Sequence, residues 1–138
     1  MECLYCDKNQ TQKDLMLEIC DLQVSTVFLF REQTYKGRCV VAYKDHAREL
    51  YELSDSELLA FMQDVNKVAR AMKALFCPAK INYGAYSDKL PHLHVHLAPK
   101  YAESVDYGGV FQMNPQKVYL SEAEYADIVE RYRKEFGK

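Results

Sequence analysis

The chain has 138 residues and a formal net charge of −2; 49% of its residues are hydrophobic and 28% charged. That length suits a single domain (residues 1–138) able to bury roughly two-thirds of its unfolded surface without a covalent staple. The near-neutral charge argues against coating of nucleic acid through bulk positive charge. No apolar run approaches the roughly 20 residues of a membrane span, and the opening MECLYCDKNQ carries no apolar signal segment.

From the N-terminus, Cys3-Leu4-Tyr5-Cys6 is a C-x2-C pair, which can be a redox motif or half of a zinc site. The redox version lies between a strand and a helix; no strand precedes this pair, which favours zinc. Five cysteines, an odd number, fit a reducing cytosol better than a disulfide scaffold. Cys20, Cys39 and Cys77 lie in apolar surroundings and read as buried small hydrophobes. Leu15 to Cys20, Ser25 to Phe30 and, after Gly37, Arg38 to Tyr43 are β-type runs that read as an antiparallel meander. Ser54-Asp55-Ser56-Glu57 has the form of a capping box. Behind it Leu58, Phe61, Met62, Val65, Val68, Ala69, Met72, Leu75 and Phe76 recur at helical spacing, and Pro78 stops the helix. Lys80 to Tyr86 reads as a fourth strand and His92 to Ala98 as a fifth, closed by Pro99. Residues 100–117 look irregular. A second capping box, Ser121-Glu122-Ala123-Glu124, opens a last helix with Tyr125, Ile128, Val129, Tyr132 and Phe136 on its apolar face. The order β-β-β-α-β-β-α predicts an α+β domain: a largely antiparallel sheet with helices packed on one face.

Three of the four histidines fall within five residues, in Pro91-His92-Leu93-His94-Val95-His96-Leu97-Ala98-Pro99. With a side-chain period of two, His92, His94 and His96 share one face of a strand, while Leu93, Val95 and Leu97 enter the core. Neighbouring histidines on that face are about 6.5–7 Å apart at Cα, too wide for all three to bind one metal ion from a regular strand. On an exposed face they can divide the work: one attacks, one handles protons, one holds structure or metal.

His-Leu-His-Val-His-Leu-Ala, of the form His-φ-His-φ-His-φ-φ, resembles the signature of the histidine triad (HIT) superfamily of nucleotide hydrolases and transferases. The Cys3/Cys6 pair is similar to that of the zinc-binding members. Gly37 to His46 resembles the family's strand ending in a histidine, Ser54 to Phe76 its central helix, and Asn82-Tyr83-Gly84 its Asn-x-Gly step. These matches cover residues 3–99; the extension 100–138 is matched loosely. The resemblance implies a HIT-like sheet of about five strands with a long central helix and a C-terminal helix.

It also implies that His94 is the nucleophile, attacking the α-phosphorus of a nucleotide to form a nucleotidyl-histidine intermediate that water hydrolyses. His96 is then the residue that supports phosphate charge. Cys3, Cys6, His46 and His92 form a closed four-ligand structural zinc site in the zinc-binding relatives' pattern. No organic cofactor is implied. A small-molecule nucleotide is the expected substrate, a homodimer through the central helix and a neighbouring strand the expected assembly, and the cytoplasm the expected location.

Many family members carry a Gln and a Ser or Thr shortly before the triad, contacting the α-phosphate and leaving group. Asp88 and Lys89 stand in those places, with Ser87 nearby but offset. Many also hold the ribose hydroxyls with an acid at the end of the second strand; Phe30 stands there, and Glu32 is the acid that can substitute from a shifted position. Asn82, Ser87, Lys89 and Glu32 are therefore the candidate substrate contacts. Lys89 and Lys100 flank the triad and offer a positive field, unless they are ordinary surface lysines. The expected function is a nucleotide phosphoramidate or dinucleoside polyphosphate hydrolase or nucleotidyl transferase. The alternatives are a zinc-stabilised nucleotide-binding module without turnover and, disfavoured by the strand spacing, a hydrolase whose metal is held by the triad.

Overall fold

The computed structural model describes residues 3–104, 106–113 and 117–138. Two short helices, α1 (Leu4–Asp7) and α2 (Gln10–Leu15), lead into β1 (Met16–Asp21), β2 (Ser25–Phe30) and β3 (Cys39–Tyr43). A 3-10 turn at Leu50–Glu52 precedes α3 (Asp55–Phe76). Then come β4 (Lys80–Gly84), β5 (His94–Lys100) and α4 (Glu122–Glu135). The five strands form one antiparallel sheet in the order β1-β2-β3-β5-β4. The α+β architecture and the β1-β2-β3 meander agree with the sequence, and β5 inserts between β3 and the edge strand β4. No helix among the described residues is long and apolar enough to cross a membrane.

Both capping boxes form. Ser54 Oγ accepts from Glu57 N at 3.2 Å while the Glu57 carboxylate accepts from Ser54 N at 2.8 Å, satisfying two amides that the first turn leaves without helical partners. Ser121 and Glu124 do the same for α4 at 3.2 and 3.0 Å. Helix α3 ends on Cys77 in the left-handed region (φ 48°) immediately before Pro78. Its buried stripe, Phe61, Val65, Val68, Ala69 and Met72, packs in one cluster with Val27, Leu29, Cys39, Val41, Val95 and Leu97 of the sheet and Ile128 and Tyr132 of α4. Burial of this apolar area is the main stabilising term of the fold. Asp64 on α3 is buried and accepts from Gln23 N and Val24 N, tying the helix to the β1–β2 turn.

The opposite face of the sheet is covered too, which corrects the expectation of helices on one face and of an exposed triad. Strands β2, β3 and β5 are buried at every position. Leu4 and Tyr5 of α1 pack there on Met16, Phe28, Phe30, Val40 and Ala42, and Phe111 packs on Tyr35 and Ala98. The boundaries of β5 also differ from expectation. The ladder starts at His94, not His92, and runs through Pro99 to Lys100. Pairing with β3 ends at Cys39↔Leu97, so Pro99 faces a neighbour on the β4 side alone and its missing N–H breaks no β3 bond. Strand β4 ends at Gly84 rather than Tyr86.

Candidate functional site

Strand β5 sets His94 and His96 opposite Ala42 and Val40 of β3, with Val95 and Leu97 turned into the core. All three triad imidazoles are buried, at 2%, 5% and 4% exposure for His92, His94 and His96. His94 Nδ1 lies 2.6 Å from the carbonyl oxygen of His92. A carbonyl can only accept, so Nδ1 carries the proton and Nε2 keeps its lone pair. Ser87 Oγ lies 3.2 Å from both that carbonyl and His94 Nδ1. Burial pulls the His94 pKa below its ordinary value, and the neighbouring His92 adds to this, against the backbone bond that raises it. The imidazole is thus neutral at neutral pH.

The Tyr5 ring lies 4.8 Å from the His94 ring and the Phe30 ring 5.6 Å from that of His96, centroid to centroid. Arg38, at the head of β3 and on the triad face, reaches His96 Nδ1 with Nη2 at 3.0 Å. Beside His94 and His96 opens a cavity of about 530 Å³. One wall is apolar: Leu4, Tyr5, Leu15, Met16 and Phe30. The other is the β4–β5 connection, Tyr86, Ser87, Asp88, Lys89 and Leu90, and Met113 completes it. The arrangement offers a neutral nitrogen nucleophile at the base of a pocket with polar groups on one side and apolar ones on the other.

Of the candidate contacts, Ser87 and Lys89 line this cavity. Asn82 shares the triad face of β4, opposite Ala98, but does not line the cavity. Glu32 is buried elsewhere: its carboxylate accepts from Thr34 N, Thr34 Oγ1 and Val118 N. Lys100 does not supply a field at the pocket either. It is 1% exposed, bonded to the carbonyls of Asp106 and Gly109, and paired with the Asp106 carboxylate at 3.6 Å. Neither Tyr5 nor Arg38 stands out in the sequence by motif. Tyr5 is one of two residues inside the Cys3–Cys6 loop, and Arg38 is the one charge opening an apolar run after Gly37; those positions were the available signals.

A second cluster lies next to the triad. Cys3 Sγ, Cys6 Sγ, His46 Nδ1 and His92 Nδ1 all fall within 4.8 Å of one another. The four S···N separations are 3.3–3.6 Å and the N···N separation is 3.1 Å. Tetrahedral coordination at metal–S of about 2.3 Å and metal–N of about 2.0–2.1 Å implies edges of about 3.6 and 3.3 Å, so the donor set has the dimensions of a closed four-coordinate site. His92 Nε2 lies 2.6 Å from the Tyr43 carbonyl, which fixes the proton on Nε2 and turns the Nδ1 lone pair toward the thiols, the second hydrogen bond a ligating histidine needs. Desolvation first, and then Cys3, push the Cys6 thiol up to about 11; a cation reverses that balance. His92 thus faces the cysteines while His94 faces the cavity, so the three triad imidazoles do not converge on one point.

The HIT domain family model matches residues 17–103, more than half of the chain. The chain belongs to the HIT family. Among curated relatives, it is 28% identical over 110 residues to an adenosine 5'-monophosphoramidase of Schizosaccharomyces pombe, an alignment covering 78% of this chain and 81% of that protein. It is 29% identical over 90 residues to the protein hit of Bacillus subtilis, covering 62% of each. Among solved structures, a histidine triad protein from Bradyrhizobium japonicum superposes with a TM-score of 0.83 at 20% identity, over 92% of this chain and 95% of that one. That likeness shows the HIT fold over nearly the whole chain.

Proposed function

We propose that the protein hydrolyses, or transfers the nucleotidyl group of, a nucleoside phosphoramidate or dinucleoside polyphosphate through a covalent intermediate on His94. The observation that carries this reading is the His94 Nδ1–H···O=C bond to His92, which leaves Nε2 free beside the cavity. The relative named as an adenosine 5'-monophosphoramidase supports the phosphoramidate class.

The Nε2 lone pair forms the bond to the α-phosphorus as the bond to the leaving group breaks. The leaving group departs with that electron pair and takes up a proton. Water then attacks phosphorus, the P–Nε2 pair returns to His94, and the water proton is released. His96 faces the same cavity and supports the charge on the phosphoryl oxygens. Ser87 holds the His92 carbonyl and His94 in register, and Lys89 brings positive charge to the polar wall. Leu4, Tyr5 and Phe30 give an apolar wall for a base. Glu32, tied to Thr34 and Val118, is not carried into this set, and neither is Asn82.

Cys3, Cys6, His46 and His92 would hold a structural zinc ion, whose contribution when bound is a cross-link with no open coordination position. The chain would pair as a homodimer across α3 and the edge strand β4, where Leu59, Met62 and Tyr83 are exposed apolar side chains. All five cysteines are unpaired, which suits a reducing, cytoplasmic setting.

A binding module without turnover is the second reading, favoured by Asp88, an anion lining the cavity where a phosphate is to sit. Intact-mass analysis during incubation with adenosine 5'-phosphoramidate and dinucleoside polyphosphates separates the two. Hydrolysis reading: a nucleotidyl adduct appears and is absent from His94→Ala. Binding alone, with neither adduct nor product, would favour the module. Native mass spectrometry of the same sample counts zinc per chain and subunits per assembly.

A further inference from the structure

Among the described residues Arg38 is the largest fully buried side chain, at 0% exposure. Among the described residues no carboxylate lies within ion-pair distance of it. Its Nη1 donates to the carbonyls of Gln112 at 3.2 Å and Met113 at 2.8 Å, its Nη2 faces His96 Nδ1 at 3.0 Å and Met113 Sδ at 3.1 Å, and its Nε has no partner among the described residues. The guanidinium carbon stands 4.3 Å from the Phe30 ring centroid and 5.1 Å from that of Phe111, inside cation–π range. A cation taken out of water with no counter-ion is costly, so its retention behind an active-site histidine asks for a role.

A guanidinium has no acceptor atom and stays protonated; here burial lowers its pKa only to about 10. The Arg38–His96 bond therefore has one polarity: Nη2–H donates and Nδ1 accepts. His96 must then be neutral, with its single N–H on Nε2. We propose that Arg38 is a positioning residue that locks His96 as a neutral Nε2–H donor toward the cavity and bars it from acting as a proton shuttle. The donor use of that N–H, toward a phosphoryl oxygen, rests on the hydrolase reading; the locked tautomer does not. The titratable groups acting on His96 are Arg38, just before β3, and His94, its neighbour on β5. Phe30 from β2 and Phe111 from the segment after β5 bring no charge. Glu32, Tyr35, Tyr86 and Tyr5 act on Arg38. Burial and the adjacent cation both disfavour a second proton on His96. The proton required by the leaving group then comes from a group other than His96.

The test is a long-range 1H–15N spectrum of the histidines in the full-length, metal-loaded protein between pH 5 and 8, with His96 assigned by His96→Gln. The expected result is an Nε2–H imidazole that does not titrate in this range. An Nδ1–H tautomer, or an imidazolium forming above pH 6, would overturn the proposal. Arg38→Met is expected to release the tautomer, raise the pH at which His96 titrates, and lower kcat on the phosphoramidate by roughly tenfold or more with a smaller change in KM. Arg38→Lys, which keeps the charge and one donor, is expected to recover part of both. A methionine variant with the wild-type His96 spectrum would also overturn it. If Arg38→Met does not fold, the wild-type spectrum and the lysine variant still decide the question. Absence of any turnover or adduct in the wild type would defeat the hydrolase reading and leave the spectrum untouched.

Discussion

The Tyr5 ring lies 4.8 Å from the ring of His94 and 5.3 Å from that of His92, while the residues at either end of its turn, Cys3 and Cys6, point their thiols at His46 and His92. One four-residue turn therefore carries both thiols of the proposed zinc site and part of the cavity wall. Removing the metal should act on the pocket and not only on the fold. Chelation, or Cys6→Ser, is expected to lower the melting temperature and to raise KM for the phosphoramidate; a fall in melting temperature with KM unchanged would separate the two roles. Tyr5→Ala in metal-replete protein is expected to raise KM roughly tenfold, equivalent to ~1.4 kcal/mol of binding, with Tyr5→Phe close to wild type.

His94→Ala is expected to abolish the nucleotidyl adduct and to reduce turnover by at least about 10⁴-fold, the scale seen when a covalent nucleophile is removed. The side chain touches the cavity, and its loss should move the melting temperature by only a few degrees. Steady-state rates beside thermal unfolding check both. Ser87→Ala, which leaves Nε2 intact and removes a hydroxyl beside Nδ1, should cost about tenfold or less.

Stability should fall in mild acid, and His96 should carry a share of that fall. Burial, then Arg38, then His94 pull its pKa from 6.5 to about 3 in the folded protein. Between those values the unfolded chain binds the extra proton and the folded chain does not, so the stability His96 contributes is complete above about 6.5 and is lost as pH drops toward 3. Urea unfolding at pH 7.5 and pH 5 measures the loss. His96→Asn should shrink the difference between the two pH values; an undiminished difference would assign the acid sensitivity to other groups.

Gly37 precedes Arg38 in the left-handed region at φ +100°, and a Cβ on it would stand 2.7 Å from the Phe76 ring. Its carbonyl accepts from the Tyr132 hydroxyl at 2.6 Å. Gly37→Ala is expected to destabilise by about 1–3 kcal/mol through strain and overpacking, and to loosen the entry to β3. Chemical denaturation gives the magnitude, and a neutral effect would mean that Phe76 yields without cost.

The elements the sequence disclosed are those with a strong local rule. Helix α3 has a capping box, a long apolar period and a terminal proline, and each feature acts within one turn of itself. The alternation of β5 placed His94 and His96 on one face and Val95 and Leu97 on the other for the same reason. Helices α1 and α2 are 4 and 6 residues long, too short for periodicity to register, and Leu4 and Tyr5 of α1, together with Phe111, turn an apparently open histidine face into a buried one. Glu32 reads as a site residue because it lies near the place of the family's acid at the end of the second strand, and Lys100 because it flanks the triad. The Glu32 side chain is held by Thr34 and, 86 positions away, by Val118, and that of Lys100 by Asp106 and Gly109 in the irregular segment after β5, where no periodic pattern marks the contacts.

The strand that carries His94 and His96 is enclosed on both edges. β5 is laddered to β3 on one side and β4 on the other, so its amides are expected among the last to exchange with solvent deuterium, opening only in near-global unfolding. The segments around the cavity, α1 and the Tyr86–Leu90 connection, lie outside that ladder. A ligand entering the cavity therefore passes between these flanking pieces, whose opening leaves the ladder that carries His94 intact.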